Sequence, residues 1–250
     1  MFTVKYPDGA LFKRLTYGSL KPLSEVPLSV TSDSFLIRAL SPDKNLLVEV
    51  YIPSTAFETY DVTSDTLLTL DRDEFSKTVR KGTKRDTVTL RYEDGARHLV
   101  FTLTNTKTGA ERTYQITVLE TGRELIQSLN LDLPVRMQME SKNFKKVIAD
   151  AKIIGDELEI SYNSGEVTVK SVSEGRMFEE KLSLDRPLLS LESREDTASS
   201  KYDLDLLKSI ASTLEAADVV TIEFGTGLPM RVTLATEDGA KVTFWIAPRT

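Results

Sequence analysis

Cysteine is absent from this sequence, and His98 is its only histidine. Thiolate nucleophiles, disulfides and thiolate metal sites are therefore excluded. A single imidazole cannot build a multi-histidine metal centre. His98 lies in the alternating run RHLVFTLT, which reads as a strand and offers no nucleophile for it to serve. Glycine-rich phosphate loops, nucleophile elbows and paired-histidine helices are all missing from the pattern. Carboxylates are the remaining catalytic material. Glu192, Glu195 and Asp196 cluster in SLESREDTASSKYD, a polar loop in which solvated surface charge accounts for them. The residues thus favour a chain that performs no chemistry and needs no cofactor, with a carboxylate enzyme as the alternative that a hydrolysis assay would expose.

Cations carry the stronger signal. Across 72–86, Arg72, Lys77, Arg80, Lys81, Lys84 and Arg85 face only Asp73, Glu74 and Asp86. In 141–152, Lys142, Lys145, Lys146 and Lys152 face only Asp150. Lys77, Arg80 and Lys81 share one face of a helix at i, i+3, i+4, and so do Lys142, Lys145 and Lys146. Solvent-facing helices ordinarily mix signs, so two single-sign faces suit phosphate binding as well as they suit a solvated surface. Lys13 and Arg14 add charge to a first helical stretch.

The segments that must position these groups are mostly strands. LLVEVYI (46–52), DTVTLRY (86–92), HLVFTLT (98–104), YQITVL (114–119), EVTVKSV (166–172) and DVVTIEF (218–224) alternate apolar and polar residues. Turn signals such as EDGA (93–96 and 237–240) and NSGE (163–166) separate them, so antiparallel hairpins dominate. Helical spacing marks only 8–17, 72–81, 141–151 and 203–216. Asp71, Ser141 and Asp203 or Ser200 are the expected N-caps of the last three. Phe144, Val147, Ile148 and Ala151 form the apolar stripe of the third helix. The order of elements repeats: 28–52 aligns with 158–184, and 74–103 with 204–246. Two copies of one α+β unit follow, at 1–118 and 135–250. LETGRELIQSLNLDLP (119–134), without a clean period, is the linker between them.

The net charge is -6, opposite in sign to that of a conventional nucleic-acid-binding domain. An acidic chain with basic helices suits a closed ring whose inner wall touches nucleic acid, since topology would then supply retention and the contacts could stay weak. No apolar run approaches the ~20 residues of a membrane-spanning helix.

Several stretches resemble the DNA sliding clamps of the proliferating cell nuclear antigen family, in an archaeal-like form. They are FLIRALSPDKNLLVEVYIPSTAFETYDV (35–62), FSKTVRKGTKRDTVTLRYED (75–94) and LPVRMQMESKNFKKVIADAKIIGDELEI (133–160). The most specific is FGTGLPMRVTLATEDGAKVTFWIAPRT (224–250), a proline-containing turn leading to a final strand and an Ala-Pro-Arg tail. The resemblance covers the chain in order. It implies two topologically similar domains with antiparallel sheets outside and four helices lining a ring interior. Three chains would enclose duplex DNA and tether a DNA polymerase, flap nuclease and DNA ligase, with a clamp loader opening the ring.

Carried over to this sequence, the inner wall takes Lys13, Arg14, Lys77, Arg80 and Lys146, to which spacing adds Lys81, Lys84, Lys142 and Lys145. A partner-peptide pocket takes Leu40, Leu47, Ile126, Pro229, Trp245, Ala247 and Pro248. An edge strand near 110–118, with Tyr114 and Ile116, is expected to pair with one near 175–184, with Met177 and Phe178, on an identical or sister subunit. The chain departs from the family at Gly18, Pro22 and Pro27, which interrupt the first helix early. Trp245 replaces a tyrosine, Ala149 a basic residue, and the fourth helix is acidic. These departures favour a mixed ring. The location implied is the cytoplasm, at the nucleoid, in a prokaryote or the nucleus in a eukaryote; no membrane partner is expected. The alternative binding class is a β-rich scaffold without a DNA role.

Overall fold

The computed structural model describes residues 1–249, and by Cα proximity these divide into two compact units. The first comprises Met1–Pro42, Val48–Ser128 and Thr236–Val242; the second comprises Asp43–Leu47, Leu129–Ala235 and Thr243 onward. The first half of the chain runs β1 (Phe2–Tyr6), α1 (Gly9–Thr16), β2 (Glu25–Val30), β3 (Ser34–Leu40), β4 (Leu46–Pro53), β5 (Thr59–Val62), β6 (Thr66–Asp71), α2 (Arg72–Val79), β7 (Asp86–Tyr92), β8 (His98–Asn105) and β9 (Glu111–Thr121). The second half repeats it: β10 (Val135–Glu140), α3 (Ser141–Ile154), β11 (Glu157–Asn163), β12 (Glu166–Ser173), β13 (Arg176–Leu184), β14 (Pro187–Ser193), β15 (Thr197–Asp203), α4 (Leu204–Ile210), β16 (Val219–Phe224), β17 (Met230–Ala235) and β18 (Lys241–Ile246). Element for element the order is the same, as the alternating sequence pattern predicts. This is an α+β fold.

Pairing repeats as well. In the first unit β1 lies between β5 and β7, followed by β8 and β9, with β9 joining β6, β6 joining β2 and β2 joining β3. In the second, β10 lies between β14 and β16, with β17 beyond, while β15, β11, β12 and β13 form a consecutive run. The helices lie against one face of each sheet because alternation buries that face. Phe12, Leu15, Phe75 and Val79 fill the first core; Phe144, Val147, Ile148, Ala151, Leu204, Leu207 and Ile210 fill the second.

Local chemistry sets the helix starts. Asp8 accepts from the Ala10 and Leu11 N–H groups at 2.8 and 2.9 Å, Asp71 from Glu74 N–H at 2.9 Å, and Asp203 from Asp205 N–H at 2.7 Å. Ser141 does not cap α3 as expected. It is the first helical residue, Glu140 occupies the cap position without a side-chain hydrogen bond, and the buried Ser141 hydroxyl has no partner among the described residues. The position after a strand end decides this: β10 runs to Glu140, so the extended cap residue is the strand's last. The first helix ends at Thr16, one residue short of expectation, and Pro27 lies inside β2 opposite Thr69. Residues 119–121, expected in the linker, extend β9, where Glu120 and Thr121 pair with Thr69 and Leu68 of β6.

Candidate nucleic-acid and partner interfaces

In the first unit, Lys77, Arg80, Lys81 and Lys84 are exposed on α2 and the turn after it, and Lys13 and Arg14 are half-buried on α1. Among the described residues Lys13, Lys77, Arg80 and Lys84 enter no ion pair. Lys81 lies over the Tyr114 ring, 4.3 Å from its centroid. The turn is rigid. Asp86, 1% exposed, accepts hydrogen bonds from Thr83 N–H at 3.0 Å and from Arg112 at 2.7 Å. Burial pushes its carboxyl up, but the hydrogen bonds from Thr83 and Arg112 outweigh that and hold it below the usual carboxylate range. Gly82 approaches Gly9 so closely that a Cβ on it would lie 2.6 Å from the Gly9 carbonyl oxygen. Lys77, Arg80 and Lys84 are thus presented without an ion-pair partner among the described residues, while Arg72 pairs with Asp73 at 3.1 Å.

The second unit treats its lysines differently. Lys142 bonds Glu140 at 2.7 Å, Lys145 bonds Glu215, and Lys152 bonds Asp156 and, at 2.9 Å, Asp205. The Glu140 hydrogen bond raises the Lys142 pKa, and those from Asp156 and Asp205 raise that of Lys152. Lys146 alone of the expected α3 cations is exposed and enters no ion pair among the described residues. On α2 the spacing of Lys77 and Arg80 corresponds to exposed side chains that enter no ion pair among the described residues. On α3 it did not anticipate the carboxylates: Glu140 lies only two positions before Lys142, whereas Glu215 and Asp205 come from segments distant in sequence.

The expected pocket residues are distributed over both units. In the first unit Leu40 and Ile126 are exposed, at 42% and 39%. Arg38, two residues before Leu40 on the same face of β3, bonds Glu49 at 2.7 Å through Nε and the Ile126 carbonyl at 3.2 Å through Nη1. In the second unit Leu47 and Trp245 are buried with Leu133, flanked by Leu131 and Leu228. Arg231 stacks over the Trp245 ring at 5.0 Å while bonding Glu223 at 2.5 and 2.6 Å. Pro229, Ala247 and Pro248 are half-buried. Ala247 N–H donates to the Asn45 carbonyl at 2.8 Å, so the 43–47 loop and the tail are held together within this unit. Pro248 bridges to Tyr202, and the neighbouring Arg249 N–H donates to the Lys201 carbonyl at 2.7 Å. The leucines around Trp245 and the Arg38–Glu49 pair escaped sequence reading; only the leucine spacing of LNLDL hinted at the former.

Both β9 and β13 keep a stretch of edge unpaired among the described residues. From Glu111 to Thr117, β9 pairs there with β8, and Thr117 N–H donates to Glu74 at 2.7 Å. Tyr114 is half-buried beside that edge; Ile116 is fully buried, so it can contribute backbone but no side chain there. In the second unit β13 pairs with β12 throughout and meets β14 only at Ser183 and Leu184. Met177 is 60% exposed, directly opposite Val172 at 57%, and Phe178 is half-buried. Glu192 lies in β14 and Glu195 and Asp196 in the turn after it, all exposed; among the described residues no three metal-ligating side chains converge.

Comparison with known proteins places this arrangement. Residues 1–125 match the family described as proliferating cell nuclear antigen, N-terminal domain. A protein named DNA polymerase sliding clamp 2, from Sulfurisphaera ohwakuensis, is 30% identical over 250 residues, covering all of both chains. DNA polymerase sliding clamp from Thermococcus gammatolerans is 28% identical, over 99% of this chain and 98% of that one. The crystal structure of PCNA from Thermococcus kodakaraensis superposes with a TM-score of 0.91 over the whole of both chains at 24% identity, a likeness of fold. A repeated α+β unit with open strand edges is the build of a DNA sliding clamp. The chain belongs to the proliferating cell nuclear antigen family.

Proposed function

We propose that this chain is one subunit of a trimeric ring that encloses duplex DNA, slides along it and holds replication and repair enzymes at the template. The observation that carries this reading is the pair of open edges, β9 in one unit and β13 in the other. A chain with one unsatisfied edge in each of two units can close a ring by strand addition, each subunit giving β13 to the next one's β9. Exposed Met177 and Val172 add apolar area at that joint. The free cations of α2 and Lys146 supply phosphate contacts, and the family is one of non-catalytic processivity factors. A DNA polymerase, flap nuclease and DNA ligase are the expected tethered partners, docking an apolar peptide against the exposed Leu40 and Ile126. A clamp loader opens the ring, and the work is done on the chromosome.

Native mass decides the joint. Tyr114→Pro removes a backbone donor from β9 and is expected to reduce a trimer, formed alone or with sister subunits, to smaller species while the circular dichroism of the chain is kept. An unchanged native mass for the folded variant overturns this interface.

A further inference from the structure

The segment from 122 to 134 contains neither helix nor strand, so no ladder of its own fixes Ile126. It is nevertheless fastened to the first unit at two points that bracket Gln127. Arg38 donates from Nη1 to the Ile126 carbonyl at 3.2 Å, and the Ser128 hydroxyl donates to the two Glu49 carboxylate oxygens at 3.1 and 3.3 Å. Arg38 and Glu49 bond each other at 2.7 Å, and their side chains are only 18% and 13% exposed. A pair this shielded is screened little by salt, and the two charges hold each other in place. The planar guanidinium suits the task, since one edge serves Glu49 and another nitrogen remains for a carbonyl. A third tether, Arg123 with Glu25, lies near the start of the segment and is more exposed, at 38% and 36%.

We propose that Arg38 and Glu49 are positioning residues that latch the linker through the Ile126 carbonyl and the Ser128 hydroxyl, so that Ile126 stands fixed near Leu40 before any partner arrives. The inference rests on the reading of Leu40 and Ile126 as peptide contacts. The latch grips one carbonyl and one hydroxyl, leaving the Ile126 side chain uncommitted and 39% exposed. A wall already ordered spares an incoming peptide the entropy of ordering it. The latch therefore acts on affinity without touching the peptide.

Hydrogen exchange of residues 122–130, read beside titration of a synthetic peptide bearing a glutamine, an aliphatic residue and two adjacent aromatics, tests this on the full chain. Arg38→Ala and Ser128→Ala are expected to speed exchange of that segment about tenfold and weaken the peptide by a similar factor, with the melting temperature nearly unchanged in Ser128→Ala and lowered in Arg38→Ala, which leaves Glu49 without its cation. Arg38→Lys keeps the charge against Glu49 without the fork and is expected to fall between Arg38→Ala and the parent. Arg123→Ala, at the exposed tether, is expected to change both quantities least. Exchange equal to the parent's in Arg38→Ala and Ser128→Ala overturns the latch. Faster exchange with undiminished peptide affinity overturns its positioning role. A parent that binds no such peptide removes the pocket reading, while the exchange rates still decide whether the latch exists.

Discussion

At the scale of single residues, neutralisation by neighbours separates cations that resemble one another in sequence. Lys77, Arg80 and Lys146 enter no ion pair among the described residues, while Lys142 and Lys145 each sit on a carboxylate. Reversing Lys77, Arg80 and Lys146 to Glu is expected to depress DNA-dependent stimulation of a polymerase strongly at low salt, with a loss that shrinks as salt rises. Reversing Lys142 and Lys145 is expected to do less; equal losses for the two sets would remove the distinction. Asp86 gives a second expectation, in pH. Its carboxyl is held below its ordinary value, so its stabilising effect is complete above about pH 3.9 and fades as pH falls through the lower folded value. Asp86→Asn is therefore expected to cost about 1–3 kcal/mol near neutrality, and the gap from the parent should narrow on acidification below about pH 4. Urea titrations at the two pH values measure it; a constant gap counts against the assignment. Sequence reading located the α2 cations because their surroundings are local, and misjudged α3 because Glu215 lies 70 positions from the lysine it binds.

At the scale of elements, short-range chemistry was legible and long-range fit was not. Strands and helices declared themselves by period, and Asp71 and Asp203 by their place before a helical run. Ser141 had the right residue type in the wrong geometry, inside the helix rather than before it. Asp203→Ala is accordingly expected to cost about 1–2 kcal/mol and Ser141→Ala almost nothing, since its hydroxyl bonds no group among the described residues. Denaturation midpoints compare them directly, and a Ser141→Ala loss matching the Asp203→Ala loss refutes the difference. The approach of Gly82 to Gly9 was likewise invisible, because nothing local requires either residue to be glycine. Gly82→Ala must push the α2 turn away from α1. The expected loss is about 1–3 kcal/mol with rearrangement of Lys81 and Lys84, seen as altered amide shifts in both segments. Trp245 read as a pocket residue and is buried under Leu133 and Leu47, so it serves its unit's core first.

At the scale of the whole molecule, a net charge of -6 argues against tight binding to open DNA, and enclosure replaces affinity. Rings loaded on a circular duplex are therefore expected to stay bound at salt concentrations that abolish direct contact, and to be lost once the circle is cut. Retention on the linearised duplex, measured by gel filtration, would mean that contact and not topology holds them. The division into units bears on how such a subunit is made. Thr236–Val242 belongs to the first unit, where Asp238 accepts from the buried Tyr6 hydroxyl, and Asp43–Leu47 belongs to the second, where Leu47 packs on Trp245. Each unit is completed by a stretch translated with the other half. A ribosome that has released only the first half has made a unit lacking its last piece, and the early chain must wait, partly unsatisfied, until nearly the final residues emerge. Severing the gene within the linker should then yield two fragments that stay soluble when co-expressed and aggregate when made alone; fragments that are each soluble alone would show that neither unit needs the piece translated with the other half.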